Sequence, residues 1–125
     1  MSKDLMDLVL PRLSQRLDRQ LRRYRAGKLN DAEFSQRFED LLQQQHAWLA
    51  NQGASDLEAA IAVHAAVLVL SEPGLQAEAA EKKMPLEMIE FQAVCEAAED
   101  IAEHYEVDEG RVLRRLSRLV ALYAD

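Results

Sequence analysis

Residues 57–70, LEAAIAVHAAVLVL, put apolar side chains on every side of a helix and leave only Glu58 and His64 as polar positions. A helix without a polar face persists in water only where other elements surround it, so this segment belongs at the centre of a helical bundle. It does not read as a membrane span. Its longest apolar run, 59–70, is 12 residues and is interrupted by His64, against about 20 for a spanning helix.

The flanking punctuation is helical throughout. Ser55 and Glu58 have capping-box spacing at the start of the central segment, and Pro73-Gly74 marks its end. A first helix is expected from Pro11 to Arg25 on a stripe of Leu13, Leu17, Leu21 and Tyr24, with Pro11 at its first position and Gly27 at its exit. Residues 1–10 are expected to be a flexible or kinked N-terminal extension. Asn30 with Glu33 opens a second helix towards Ala50. Residues 75–84 predict a short exposed helix and the one plausible hinge. Pro85 starts a fourth long helix to Tyr105, with Met88, Phe91, Cys95, Ala98 and Ala102 on one apolar stripe and Ile89 and Ile101 on its neighbour. Asp108 caps a fifth helix that reaches Ala124 through Val112, Leu116 and Leu119.

Four Gly and three Pro in 125 residues are too few for a β-sandwich or barrel, which turns every ~8–12 residues. The fold class is therefore all-α: a single-domain bundle spanning 1–125, of about five helices, with 57–70 as its apolar centre.

Charge is sorted by segment. Residues 11–28 carry seven basic side chains against the single acid Asp18, while 78–109 carry eleven acids against Lys82 and Lys83. A last basic cluster follows: Arg111, Arg114, Arg115 and Arg118. If the basic first helix lies beside the acidic fourth helix of the same fold, the glutamates satisfy the arginines internally. If it lies beside that helix of a second copy, Arg12, Leu13, Arg16, Leu17, Leu21, Arg23 and Tyr24 meet Glu96 and Glu103 across an interface. Complementarity of this kind sets register and partner choice more than affinity.

The segment 101–119 has the spacing of a helix-turn-helix: small Ala102, Tyr105 before the turn, Val107 after it, and Val112 and Leu116 facing inward. Its arginines 111, 114, 115 and 118 then fall on the outward arc, where they would contact phosphates or guanine edges. Glu106 occupies the turn position where glycine is usual.

Catalytic chemistry finds little footing. No Glu-x-x-His motif precedes His46, His64 or His104, and no glycine-rich phosphate loop exists. Asp100 and His104, beside Glu103, read as a solvated pair rather than metal ligands. Cys95 reads as a buried small hydrophobe, among carboxylates that disfavour its thiolate. A pocket between the third and fourth helices near His64, Cys95 and Tyr105 is the remaining alternative. The single cysteine, the absence of a signal-peptide layout and a net charge of −7 predict a cytoplasmic protein with no membrane role. The expected function is a non-enzymatic interaction or regulatory module, with no cofactor and no metal, forming a homodimer or binding another protein. DNA binding through 101–119 is the alternative.

Overall fold

The computed structural model describes residues 2–124, with side chains from Leu5 onward. Six helices follow one another: α1 (Ser2–Arg25), α2 (Asp31–Asn51), α3 (Asp56–Leu70), α4 (Glu72–Lys82), α5 (Leu86–Tyr105) and α6 (Glu109–Tyr123). No strand occurs among the described residues. The class matches the sequence expectation, with one helix more than the five expected.

The apolar segment is the hub. α3 touches each of the other five helices, and Ala59, Ile61, Ala62, Val63, Ala65 and Ala66 are all buried. Its alanines lie on several sides at once, which lets α1, α2, α5 and α6 approach closely without a large side chain between them. The core that results joins Met6, Val9 and Leu13 of α1 to Leu49 of α2, Ile101 of α5 and Leu116 of α6.

Two boundaries differ from the sequence reading. The first helix does not begin at Pro11. α1 runs through that proline, and residues 2–10 are helical; Met1 lies outside the described residues. An interior proline costs about 3 kcal/mol or more, but Met6 and Val9 are fully buried, each worth roughly 1.5–3 kcal/mol. Pro11 itself is exposed, so water reaches the carbonyl that its missing N–H leaves unbonded. The second difference is at 72–82. Pro73-Gly74 does not lie in a loop: α3 ends at Leu70, and Pro73 takes an early position in α4, where its absent N–H is no loss. α4 is a mostly exposed helix, as expected, but it begins earlier than 75, is bent by 58° from α3 and docks on α5 with Ala79 buried.

The caps form as the spacing requires. Asn30 and Glu33 close both bonds of a capping box, at 2.8 and 2.9 Å. Ser55 accepts from the Glu58 N–H at 3.2 Å, and Asp108 accepts from the Arg111 N–H at 3.0 Å. Among the described residues, no single helix is long and apolar enough to cross a membrane.

Candidate functional site: an arginine-rimmed groove and an open acidic helix

α1 turns its leucine stripe into its own fold. Leu13 is fully buried, and Leu17 and Leu21 are half-buried. α1 packs on α2, α3 and α6 and does not touch α5. The internal pairing of basic first helix with acidic fourth helix (here α5) is therefore not made. Its arginines are divided. Arg12 donates from Nε to Gln45 Oε1 at 3.1 Å and lays its guanidinium 4.1 Å from the centre of the Trp48 ring. Arg16 and Arg19 line a polar cleft with Arg37 of α2, a residue that sequence reasoning did not single out. Arg23 is exposed. Tyr24 closes the α1–α2 corner: its hydroxyl donates to Asp31 at 2.5 Å and its ring lies 4.9 Å from Phe34. That bond holds the Tyr24 hydroxyl above its ordinary pKa, with the charge of Asp31 as a second cause.

The second basic cluster lies on a cleft. Between the first turns of α3 and the face of α6 runs a groove of about 360 Å³, within the size range of ligand clefts. Leu57, Ile61, Val107 and Val112 supply its apolar floor. Arg111, Arg114, Arg115 and Arg118 stand around it. Arg115 is fixed by Glu58, at 2.7 Å. Arg111, Arg114 and Arg118 are exposed and make no ion pair among the described residues. The sequence located these arginines but not the groove. Glu58 carried a capping signal, and nothing in the sequence tied it to Arg115, 57 residues away.

A short connection, 106–108, leads into α6. Glu106 adopts the left-handed conformation at φ 54°, ψ 49°, with its side chain exposed. Acids crowd the same end, however: Asp108 lines the groove, and Glu109 opens α6.

α5 is the counterpart of opposite sign. Glu87, Glu90, Glu96, Glu99, Asp100 and Glu103 form no ion pair among the described residues. Glu96 and Glu103 are exposed. Its apolar stripe is covered at one end only. Ala98 and Ala102 are buried and Cys95 is half-buried, whereas Met88 is 49% exposed and Phe91 59%. α3, α4 and α6 pack on α5, and what they bury is Ile89 and the residues from Val94 to Ala102 that include Ala97, Ala98 and Ile101.

His64 lines an apolar cleft of about 280 Å³ between α2 and α3 together with His46, and neither Cys95 nor Tyr105 lines it. His64 Nδ1 donates to the Ala60 carbonyl at 2.8 Å, so in the neutral ring Nε2 carries the lone pair. His46 Nε2 stands 3.6 Å from Asp56. Burial foremost, and the charge of Asp56, raise the Tyr105 pKa above its ordinary value. Among the described residues, no three His, Cys, Asp or Glu side chains converge on a point where a metal would sit.

No family model, curated protein or solved structure matches this chain. Its class is what the geometry defines: an all-helical bundle with an arginine-rimmed groove on one face and an unneutralised acidic helix on another.

Proposed function

We propose that the chain is a non-enzymatic helical interaction module that self-associates, as a homodimer, with acidic α5 as one half of the contact. One observation carries this reading. Met88 and Phe91, three residues apart, are open to solvent on a helix whose six carboxylates form no ion pair among the described residues. Single exposed hydrophobes are ordinary. Two adjacent ones framed by Glu87 on one flank and Glu96 and Glu99 on the other, at 100° per residue, have the apolar centre and charged border of a protein interface.

The opposing surface is basic, and it is not the leucine seam of α1, because Leu13 is enclosed in its own core. Light scattering at ~0.1 M and ~0.5 M salt tests the reading, since these conditions differ in charge screening. A dimer that weakens as salt rises is the expected result. A monomer at both, across the micromolar range, sinks it.

A second reading is favoured by the left-handed turn at Glu106 and by the exposure of Arg111, Arg114 and Arg118. In it, α6 docks on DNA. It requires that a duplex bind with steep salt dependence and that Arg114→Ala with Arg118→Ala abolish the complex without loss of helicity.

A further inference from the structure

We infer that the groove between α3 and α6 receives α5 of a second copy of this chain, with Phe91 and Met88 on its apolar floor and the flanking glutamates on its arginines. The inference rests on the self-association proposed above and specifies the surfaces that meet.

Three observations lead to it. The groove has two chemistries at once: apolar side chains from Leu57, Ile61, Val107 and Val112, and a charged rim in which four arginines outnumber Asp108. A nucleic-acid backbone or a free phosphate would use the rim and leave the floor wet. An occupant that uses both has apolar side chains bordered by carboxylates. The α5 stripe has that layout, with Glu87 on one border and Glu96 and Glu99 on the other, all exposed.

The charges on the two surfaces are also both unspent. Arg111, Arg114 and Arg118 lack an ion pair, as do all six α5 carboxylates, among the described residues. Met88 lies 17 residues before Tyr105, about 25 Å from the turn that opens the groove, so the apolar end of the stripe is remote from the groove of its own chain. A second copy, turned by a two-fold axis, brings each stripe to the other's groove. Every contact then occurs twice, as an isologous interface demands.

Finally, Arg115 is pre-positioned. Its bond to Glu58 holds one rim residue in place before binding and shields that carboxylate from an incoming acidic helix. Fixing a side chain in advance reduces the ordering cost of association.

The test is a charge swap with reciprocal rescue. One variant carries Arg114→Glu and Arg118→Glu; the other carries Glu87→Arg and Glu96→Arg. All four positions are exposed, and circular dichroism verifies the fold of each. In either variant alone, groove and stripe have the same sign, and the dimer dissociation constant should rise at least ~tenfold over the wild type. In an equimolar mixture, each heterodimer has two contacts of opposite sign, so the mass should return to that of a dimer. Phe91→Ser, at an exposed position, should weaken the dimer without charge change and serves where a swap impairs folding.

A wild-type dimer whose variants all remain dimeric, or whose mixture is not rescued, overturns the groove assignment and leaves self-association standing. A monomeric wild type overturns both, and a labelled DNA duplex is then the probe for the arginines.

Discussion

The molecule contains two helical hairpins that solve the same problem differently. In the α1–α2 hairpin, polar and aromatic groups are matched inside the chain: Tyr24 with Asp31, Arg12 with Gln45 and Trp48, Asn30 with Glu33. The connection uses Gly27 at φ 77°, where glycine carries no steric penalty. In the α5–α6 hairpin, Glu106 takes the left-handed position, six carboxylates and three arginines go unpaired among the described residues, and Phe91 faces solvent. The first hairpin buries Leu13 and half-buries Leu17 and Leu21, although Arg16 and Arg23 make no ion pair among the described residues. The second leaves Met88 and Phe91 open beside its unpaired charge, and the proposed contact uses that surface.

The largest test of the contrast sets one apolar residue from each hairpin against the other. Leu13 is fully buried in the core, and Leu13→Ala should destabilise by ~2–5 kcal/mol, the range for core leucines. Phe91→Ser should change monomer stability by no more than about 0.5 kcal/mol, as exposed positions do. Urea unfolding at submicromolar protein measures both. A loss at Phe91 comparable to that at Leu13 would make the α5 patch part of the fold and remove its functional reading.

Closure at the first hairpin is not complete. Gln45 is fully buried; its Oε1 accepts from Arg12, while its Nε2 has no partner. A buried unpaired donor costs about 1–3 kcal/mol, and one hydrogen bond returns a comparable amount. Arg12 keeps Trp48 and water after substitution. Gln45→Met, close in volume, is therefore expected to raise stability by up to about 1 kcal/mol in thermal melts. A clear loss would show that the Arg12 bond outweighs the orphaned amide.

The turns give a smaller pair of effects with opposite signs. A left-handed residue with a Cβ costs roughly 1–2 kcal/mol more than glycine, less where a surface turn relaxes. Gly27→Ala meets no atom within 4 Å, so only this backbone cost applies, and a loss of about 1 kcal/mol is expected. Glu106→Gly should gain about 0.5–1 kcal/mol, helped by removal of an anion from a helix C-terminus. Equal signs in chemical denaturation would mean that the two turns are not alternative solutions to one constraint.

How much of this was legible in the sequence follows from what each signal depends on. The central position of α3 could be read because an all-apolar helix has one stable location, and Asn30, Ser55 and Asp108 because a cap is a contact across three residues. The reach of α1 through Pro11 was not legible. Whether a proline breaks a helix depends on what Met6 and Val9 bury against, and that is tertiary. The same limit applies to the site. The arginines of α6 are visible as a cluster, but the groove needs Leu57 and Ile61 from half a chain away. Met88 and Phe91 continue the stripe of Ala98 and Ala102, and helical periodicity alone does not reveal that neighbouring helices stop short of them.

The smallest effect concerns the bond that closes the first hairpin. The Tyr24 pKa is raised above 10.0, chiefly by its hydrogen bond to Asp31 and then by the charge of that carboxylate. A raised folded-state value means that the folded protein holds this proton more tightly than the unfolded chain does. The stabilisation is thus fully present below pH ~10 and is lost as pH rises through the folded value. Wild type should therefore exceed Tyr24→Phe in urea midpoint at neutral pH by a small margin, because the pair is exposed and screened. The two should converge above pH ~10. Tyr105, also raised, is present in both proteins and cancels in the difference. A margin that persists undiminished above pH ~11 would show that the corner is held by the contact of the Tyr24 ring with Phe34 and not by its proton, and the closed hairpin would then owe its closure to packing alone.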